Sequence, residues 1–187
     1  MSKFLLITVA LFSTNAASAF TFAEGANDFG NTPAAVTSIG TTSLGTNTIS
    51  GQVSSGTDRD YFSFIIDEGQ QLESLSLSEV NAENHFLGFG QGATPTDSAS
   101  AFFIADLVGA ADLNDNLLDT LASGGSFGGS GIVSTPLPSG AYHILFNETN
   151  GTVVDYTFTL VTSQSVPEPS SAILLGLASL GLIRRRR

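Results

Sequence analysis

Tyr61-Phe62-Ser63-Phe64-Ile65-Ile66 is the stretch whose reading decides the fold. Side chains along a strand point alternately to opposite faces. Phe62, Phe64 and Ile66 therefore share one face, with Tyr61, Ser63 and Ile65 on the other. The same alternation recurs on either side. Leu75 and Leu77 form the inward pair of Leu72 to Val80, with serines between them, and Ala101 to Ile104 repeats the pattern. Tyr142/Ile144/Phe146 and Tyr156/Phe158/Leu160 give two more core faces, and Thr48 to Val53, Phe86 to Phe89 and Gly131 to Ser134 are further candidate strands. Gly, Asn, Asp and Pro divide these runs, and no stretch carries an amphipathic helical stripe. Eight or nine short strands within about 120 residues predict an all-β fold, an antiparallel β-sandwich. Ser123 to Gly131 (SGGSFGGSG) reads as a flexible loop inside that domain, and no internal repeat is present.

The two ends read differently from the body. Lys3 precedes an apolar run from Phe4 to Phe12, and Ala17-Ser18-Ala19 supplies a small-x-small cleavage pattern at Ala17 and Ala19. These are the parts of a secretory signal peptide over residues 1–19, with signal peptidase as its partner. At the other end, Val166-Pro167-Glu168-Pro169 is followed by the apolar run Ala172 to Ile183 and then by Arg184, Arg185, Arg186 and Arg187. Two prolines around a glutamate make a stiff segment that cannot join a helix. A twelve-residue apolar helix reaches about 18 Å, short of the ~30 Å hydrocarbon core. Transient membrane contact fits that length better than a conventional permanent anchor, which would be longer. The arginines orient the C-terminus toward the cytoplasm. The chain thus divides into a signal peptide (1–19), a β-sandwich domain (20–163) and a C-terminal segment (164–187).

Charge narrows the function classes. The 187 residues hold 17 acidic and 6 basic side chains and no cysteine. Between the two terminal segments sixteen acids face Arg59 alone, a net charge of −15. Such a body repels nucleic acid and anionic polysaccharide unless cations mediate. The missing cysteines exclude a disulfide scaffold, a thiolate zinc site and a cysteine nucleophile.

The C-terminal arrangement resembles the PEP-CTERM sorting signal of Gram-negative bacteria, its tripeptide being Pro167-Glu168-Pro169. The resemblance implies an exosortase-like processing enzyme as partner. It also implies export across the inner membrane to the cell surface or extracellular matrix. The body resembles bacterial pre-peptidase C-terminal (PPC) domains in three places. Asp58-Arg59-Asp60-Tyr61-Phe62-Ser63-Phe64 is similar to a "D-x-D-Y-F-x-F" strand, and Leu137 to Ile144 to an "L-x-x-G-x-Y-x-I" strand. Ala105-Asp106-Leu107 through Leu118 is similar to an "A-D-L" strand with its "D-x-N-G-x-L-L" hairpin; Asn116, which tolerates φ > 0, stands at the glycine position. The resemblance implies a jelly-roll-like, non-catalytic sandwich.

It also implies calcium between an "E-x-N-D" stretch and the acid pair before the "Y-F" strand. Glu24, Asn27 and Asp28 match the first, with one extra residue between Glu and Asn, and Asp58 and Asp60 match the second. Ca²⁺ takes six to eight oxygen ligands. The same residues also suit plain turn roles, with Asn27 and Asp28 capping a turn and the Asp58/Asp60 pair opening a hairpin. Asp112 to Asn116 is not an EF-hand, because Leu117 and Ser123 occupy its required Gly and Glu positions.

For catalysis there is little material. His85 and His143 are the only histidines, Trp is absent, and no nucleophile elbow, zinc-helix or phosphate-loop motif occurs. Asn147-Glu148-Thr149 and Asn150-Gly151-Thr152 are glycosylation-type triplets that read better as turn sequence. The expectation is a non-catalytic surface protein of the extracellular polysaccharide or biofilm matrix, with matrix polysaccharide as candidate ligand and calcium as candidate cofactor. A secreted hydrolase of unrecognised type is the alternative.

Overall fold

A chain that switches layers after nearly every strand explains the architecture of the computed structural model, which describes residues 19–25, 28–54, 57–78, 84–95, 101–132 and 134–165. The strands are β1 (Thr21–Ala23), β2 (Thr37–Thr41), β3 (Gly45–Val53), β4 (Arg59–Ile66), β5 (Gln70–Ser78), β6 (His85–Gln91), β7 (Ile104–Val108), β8 (Gly140–Glu148) and β9 (Val154–Gln164). A one-turn helix, α1 (Leu117–Thr120), and a 3₁₀ turn (Pro33–Ala35) accompany them. One sheet has the order β1-β3-β9-β5 and the other β2-β4-β8-β6-β7.

The sandwich is present, but its sheets are mixed rather than antiparallel. β1 pairs parallel with β3, and β2 with β4. The cause is the alternation between layers. β1, β3 and β5 lie in one sheet and β2, β4 and β6 in the other, so strands two apart run the same way. Where such strands are neighbours they pair parallel. β9 separates β3 from β5, and β8 separates β4 from β6, and each is antiparallel to both its neighbours.

The inward faces are those of the alternation. Phe62, Phe64, Ile66, Leu75, Leu77, Tyr142, Ile144, Phe146, Tyr156, Phe158 and Leu160 are all buried in one core cluster. Phe146 and Phe158 meet edge to face with centroids 5.4 Å apart, a geometry aromatic rings favour. Tyr61 is buried as well, although it points away from this core. It joins Phe102, Ala105 and Leu145 in a small second cluster on the outer side of the β2-β4-β8-β6-β7 sheet.

Several strand boundaries differ from the sequence reading. Of Ala101 to Ile104 only Ile104 is in a strand, and none of the described residues of Gly131 to Ser134 is. β1 and β2 were not foreseen, because one has three residues and the other buries only Ile39. Asn116 does not adopt a positive φ; at φ −75° it caps α1, its Oδ1 accepting from Leu118 N, and Asn114 takes the left-handed conformation (φ 65°). The Gly-rich segment is bonded along β7: Ala105 N donates to Gly124 O, and Phe127 N to Ala105 O. It thereby covers an edge strand that would otherwise expose free backbone groups. Gly124 has φ 97° and a Cβ there would lie 2.2 Å from Gly129 O, so this cover requires glycine.

The two poles of the sandwich have different fates. β1, β3, β6's start, β8's end and β9's start meet at one pole, and β9 runs from there to Gln164 at the other. Ser165 N donates to Gly69 O at that second pole, where the chain continues into residues 166–187. The residues through 18 of the expected signal peptide, and the sorting-segment residues Val166, Pro167, Glu168, Pro169, Arg184, Arg185, Arg186 and Arg187 with the expected apolar helix, lie outside the described residues. Ala19 is described and exposed, just before β1. Among the described residues, no helix is long and apolar enough to cross a membrane.

Candidate functional site

The first pole gathers the acids. After β1 the chain crosses from one sheet to the other, and Phe29 plugs the crossing, its ring stacked 5.7 Å from Phe22 and packed 4.9 Å from Phe62. Gly30 then accepts from Tyr61 N (2.9 Å), which ties the crossing to β4. This path brings Glu24 and Asp28 over Asp60, the second residue of β4. One carboxylate oxygen from each of Glu24, Asp28 and Asp60 lies within 4.8 Å of the others.

Each acid is held differently. Glu24 Oε1 accepts from Phe29 N (2.6 Å) and Oε2 from Gln52 N (2.7 Å), so the carboxylate bridges the crossing and β3. Asp28 Oδ2 accepts from Asn31 Nδ2 (3.1 Å), and Asn31 Oδ1 accepts from Arg59 N (2.9 Å). Asp60 is fully buried; its Oδ2 accepts from Tyr156 OH (2.5 Å), and its Oδ1 has no hydrogen-bond partner among the described residues. Tyr156 reaches Asp60 across Gly51, its register partner on β3. A Cβ on Gly51 would lie 2.5 Å from the Tyr156 oxygen and 2.8 Å from the Phe29 ring, so a glycine is needed there.

Packing carboxylates together out of water disfavours their charged forms. Burial pushes Asp60 up from the ordinary 3.8 to about 8; the Tyr156 hydroxyl opposes this, while the charges of Glu24, Asp28 and Asp58 add to it. Burial also raises Glu24, as does the Asp28 side chain, against the lowering pull of the Gln52 and Phe29 amides. Tyr156 is raised well above its usual value by burial and by Asp60. A divalent cation would relieve this repulsion, and the donor set fits one, being hard oxygen throughout with a vacant buried oxygen.

Of the four acids expected at a metal site, Asp58 does not join the cluster. Its Oδ2 accepts from both Ser54 N and Ser54 Oγ (2.7 Å each) in the β3–β4 connection, which crosses between the sheets and is not the hairpin that the turn alternative expected. It still lines the open cleft of about 700 Å³ beside the cluster, with Glu24, Asp28, Ser50, Gln52 and Asp155. Asn27 lies outside the described residues. Tyr156 and Asp155 belong to this site and were missed, because their proximity depends on the β3–β9 register, in which Gln52 faces Asp155 and Gly51 faces Tyr156. Gln52 Nε2 donates to Asp155 Oδ1 at 2.6 Å.

The histidines lie elsewhere. His143 Nδ1 donates to Gly92 O (3.0 Å) and its ring meets Phe102 edge-on at 5.5 Å. Burial lowers its pKa, opposed by the Gly92 carbonyl. His85 is buried against Phe146 with centroids 5.6 Å apart. Asn147 is a β8 residue, whereas the Asn150 and Gly151 amides donate to the buried Glu148 carboxylate and close the β8–β9 turn.

Comparison with known proteins adds the tail. Residues 165–187 match the PEP-CTERM protein-sorting motif. That motif implies processing by an exosortase, and with it export to the cell surface of a Gram-negative bacterium. The resemblance of the body to PPC domains finds no support in a family match. No curated protein matches the chain.

Proposed function

We propose that this protein is a non-catalytic, jelly-roll-like, PPC-like sandwich, delivered to the surface by its sorting tail, that holds Ca²⁺ at the Glu24/Asp28/Asp60 cluster and serves in the extracellular polysaccharide matrix. The single observation that carries the calcium assignment is the buried Asp60 Oδ1, without a partner and grouped with two further carboxylates. A buried polar atom left unpaired costs about 1–3 kcal/mol, more when charged, and a cation would supply the missing partner. The fold adds direction. Ten residues of extended chain separate Asp155 from Ser165, about 33 Å at ~3.3 Å per residue. A sandwich still attached through its tail would therefore carry the cleft at the end remote from the membrane.

Thermal unfolding of the secreted protein at fixed, high ionic strength tests the cation, since screening is then constant. Ca²⁺ at about 100 times its Kd stabilises by roughly 2.7 kcal/mol, which raises the Tm by several degrees over EDTA. An unchanged Tm would remove the calcium assignment and leave these acids with structural roles alone.

A further inference from the structure

The cleft beside the cluster is built for more than an ion. Its ~700 Å³ falls in the ~300–1,000 Å³ range of small-molecule sites. Its lining holds no exposed aromatic ring, since Tyr156 is buried, so stacking cannot drive binding there. What faces it is oxygen and amide: Ser50, Gln52, Asp155 and Thr157, from the outer side of β3 and β9. Ser50 and Thr157 are register partners, as Gln52 and Asp155 are.

The carboxylates leave a bound cation incompletely enclosed. Both Glu24 oxygens already accept backbone N–H groups, and one oxygen each of Asp28 and Asp60 accepts a side-chain donor. Ca²⁺ takes six to eight oxygens at 2.3–2.6 Å, more than these three side chains spare. Glu24 and Asp28 line the cleft, with Asp60 buried behind its wall, so further oxygens can reach the ion from the cleft side.

We infer that the cleft binds a neutral polysaccharide, vicinal sugar hydroxyls completing the coordination of a divalent cation on Glu24, Asp28 and Asp60 while Gln52, Asp155 and Thr157 hydrogen-bond the same sugar. The inference rests on the cation reading above. Charge selects the polymer class. Five carboxylates, Glu24, Asp28, Asp58, Asp60 and Asp155, against one divalent ion leave the site negative by three, so uronate and sulfated chains are repelled. The sheet beyond the cleft gives a polymer a path without charge. Register aligns Ser50, Thr157 and Ser78 in one row across it, and Thr21, Thr48, Thr159 and Ser76 in the next.

The test is biolayer interferometry of the secreted protein on immobilised dextran, mannan, galactomannan and alginate, at fixed ionic strength in Ca²⁺ or EDTA. Binding to at least one neutral polymer in Ca²⁺, at least tenfold weaker in EDTA and tenfold weaker on alginate, is the expected result. Gln52→Ala and Thr157→Val should each weaken that binding about tenfold while the Ca²⁺-induced rise in Tm persists. A Ca²⁺-induced Tm rise without binding to any of the three neutral polymers overturns this inference and leaves the cation reading standing. Alginate binding as tight as neutral binding, or binding indifferent to EDTA, has the same consequence. Absence of the Tm rise removes both readings together.

Discussion

Replacing Asp60 by Asn should stabilise the cation-free protein at neutral pH and leave it unchanged in acid. The native state holds a proton on Asp60 up to about pH 8, whereas the unfolded chain releases it near 3.8. Between these values the native state binds more protons, so stability falls as pH rises. At 1.36 kcal/mol per pH unit, the interval from 3.8 to 7 amounts to about 4 kcal/mol, against under about 1 kcal/mol at pH 4. Asn matches the protonated acid in shape. Its oxygen can accept from Tyr156 OH, and its amide can donate toward Glu24 and Asp28, so the variant keeps the packing without the titration. Urea unfolding in EDTA from pH 4 to 8 should give a difference between variant and wild type that grows by several kcal/mol. With Ca²⁺ at about 100 times its Kd the difference at neutral pH should narrow by roughly 2.7 kcal/mol, because only the wild type gains from the ion. A difference that stays constant within about 1 kcal/mol across that range in EDTA would show that burial does not hold a proton on Asp60 and refute the reasoning.

Gly51→Ala should destabilise by about 1–3 kcal/mol in chemical denaturation, since its Cβ meets both Tyr156 and Phe29, and should remove the Ca²⁺ increment by displacing the Tyr156 hydroxyl from Asp60. His143, lowered by burial, contributes stability that is complete above its ordinary 6.5 and lost as pH falls through its lower native value; its ring resonances in NMR should titrate below 6.5. Glu168→Ala, and separately Ser at all four of Arg184, Arg185, Arg186 and Arg187, should leave an unprocessed, membrane-bound precursor. Immunoblots showing both variants shortened like wild type would count against tail-directed sorting.

What was determined by the sequence alone is what depends on local order. Phe62, Phe64 and Ile66 had to share a face because a strand has a period of two, whatever packs upon it. The PEP-CTERM segment was legible because its parts are contiguous, so no fold is needed to bring Pro167, Glu168 and Pro169 together. The body's charge of −15 followed from counting. The tertiary structure decided everything that depends on which strands become neighbours. Nothing local says that β9 lies between β3 and β5, yet that placement sets Tyr156 across Gly51 and lets it reach Asp60. Local sequence paired Asp58 with Asp60, but β4 begins at Arg59, so only Asp60 is carried by the strand. Asp60 entered the core beneath the β1–β2 crossing, while Asp58 stayed in the turn with Ser54. Layer switching likewise made two strand pairs parallel, a choice fixed by chain path rather than by residue type. Residue alternation determines faces, but register and chain crossings determine meetings, and the acidic cluster is made of meetings.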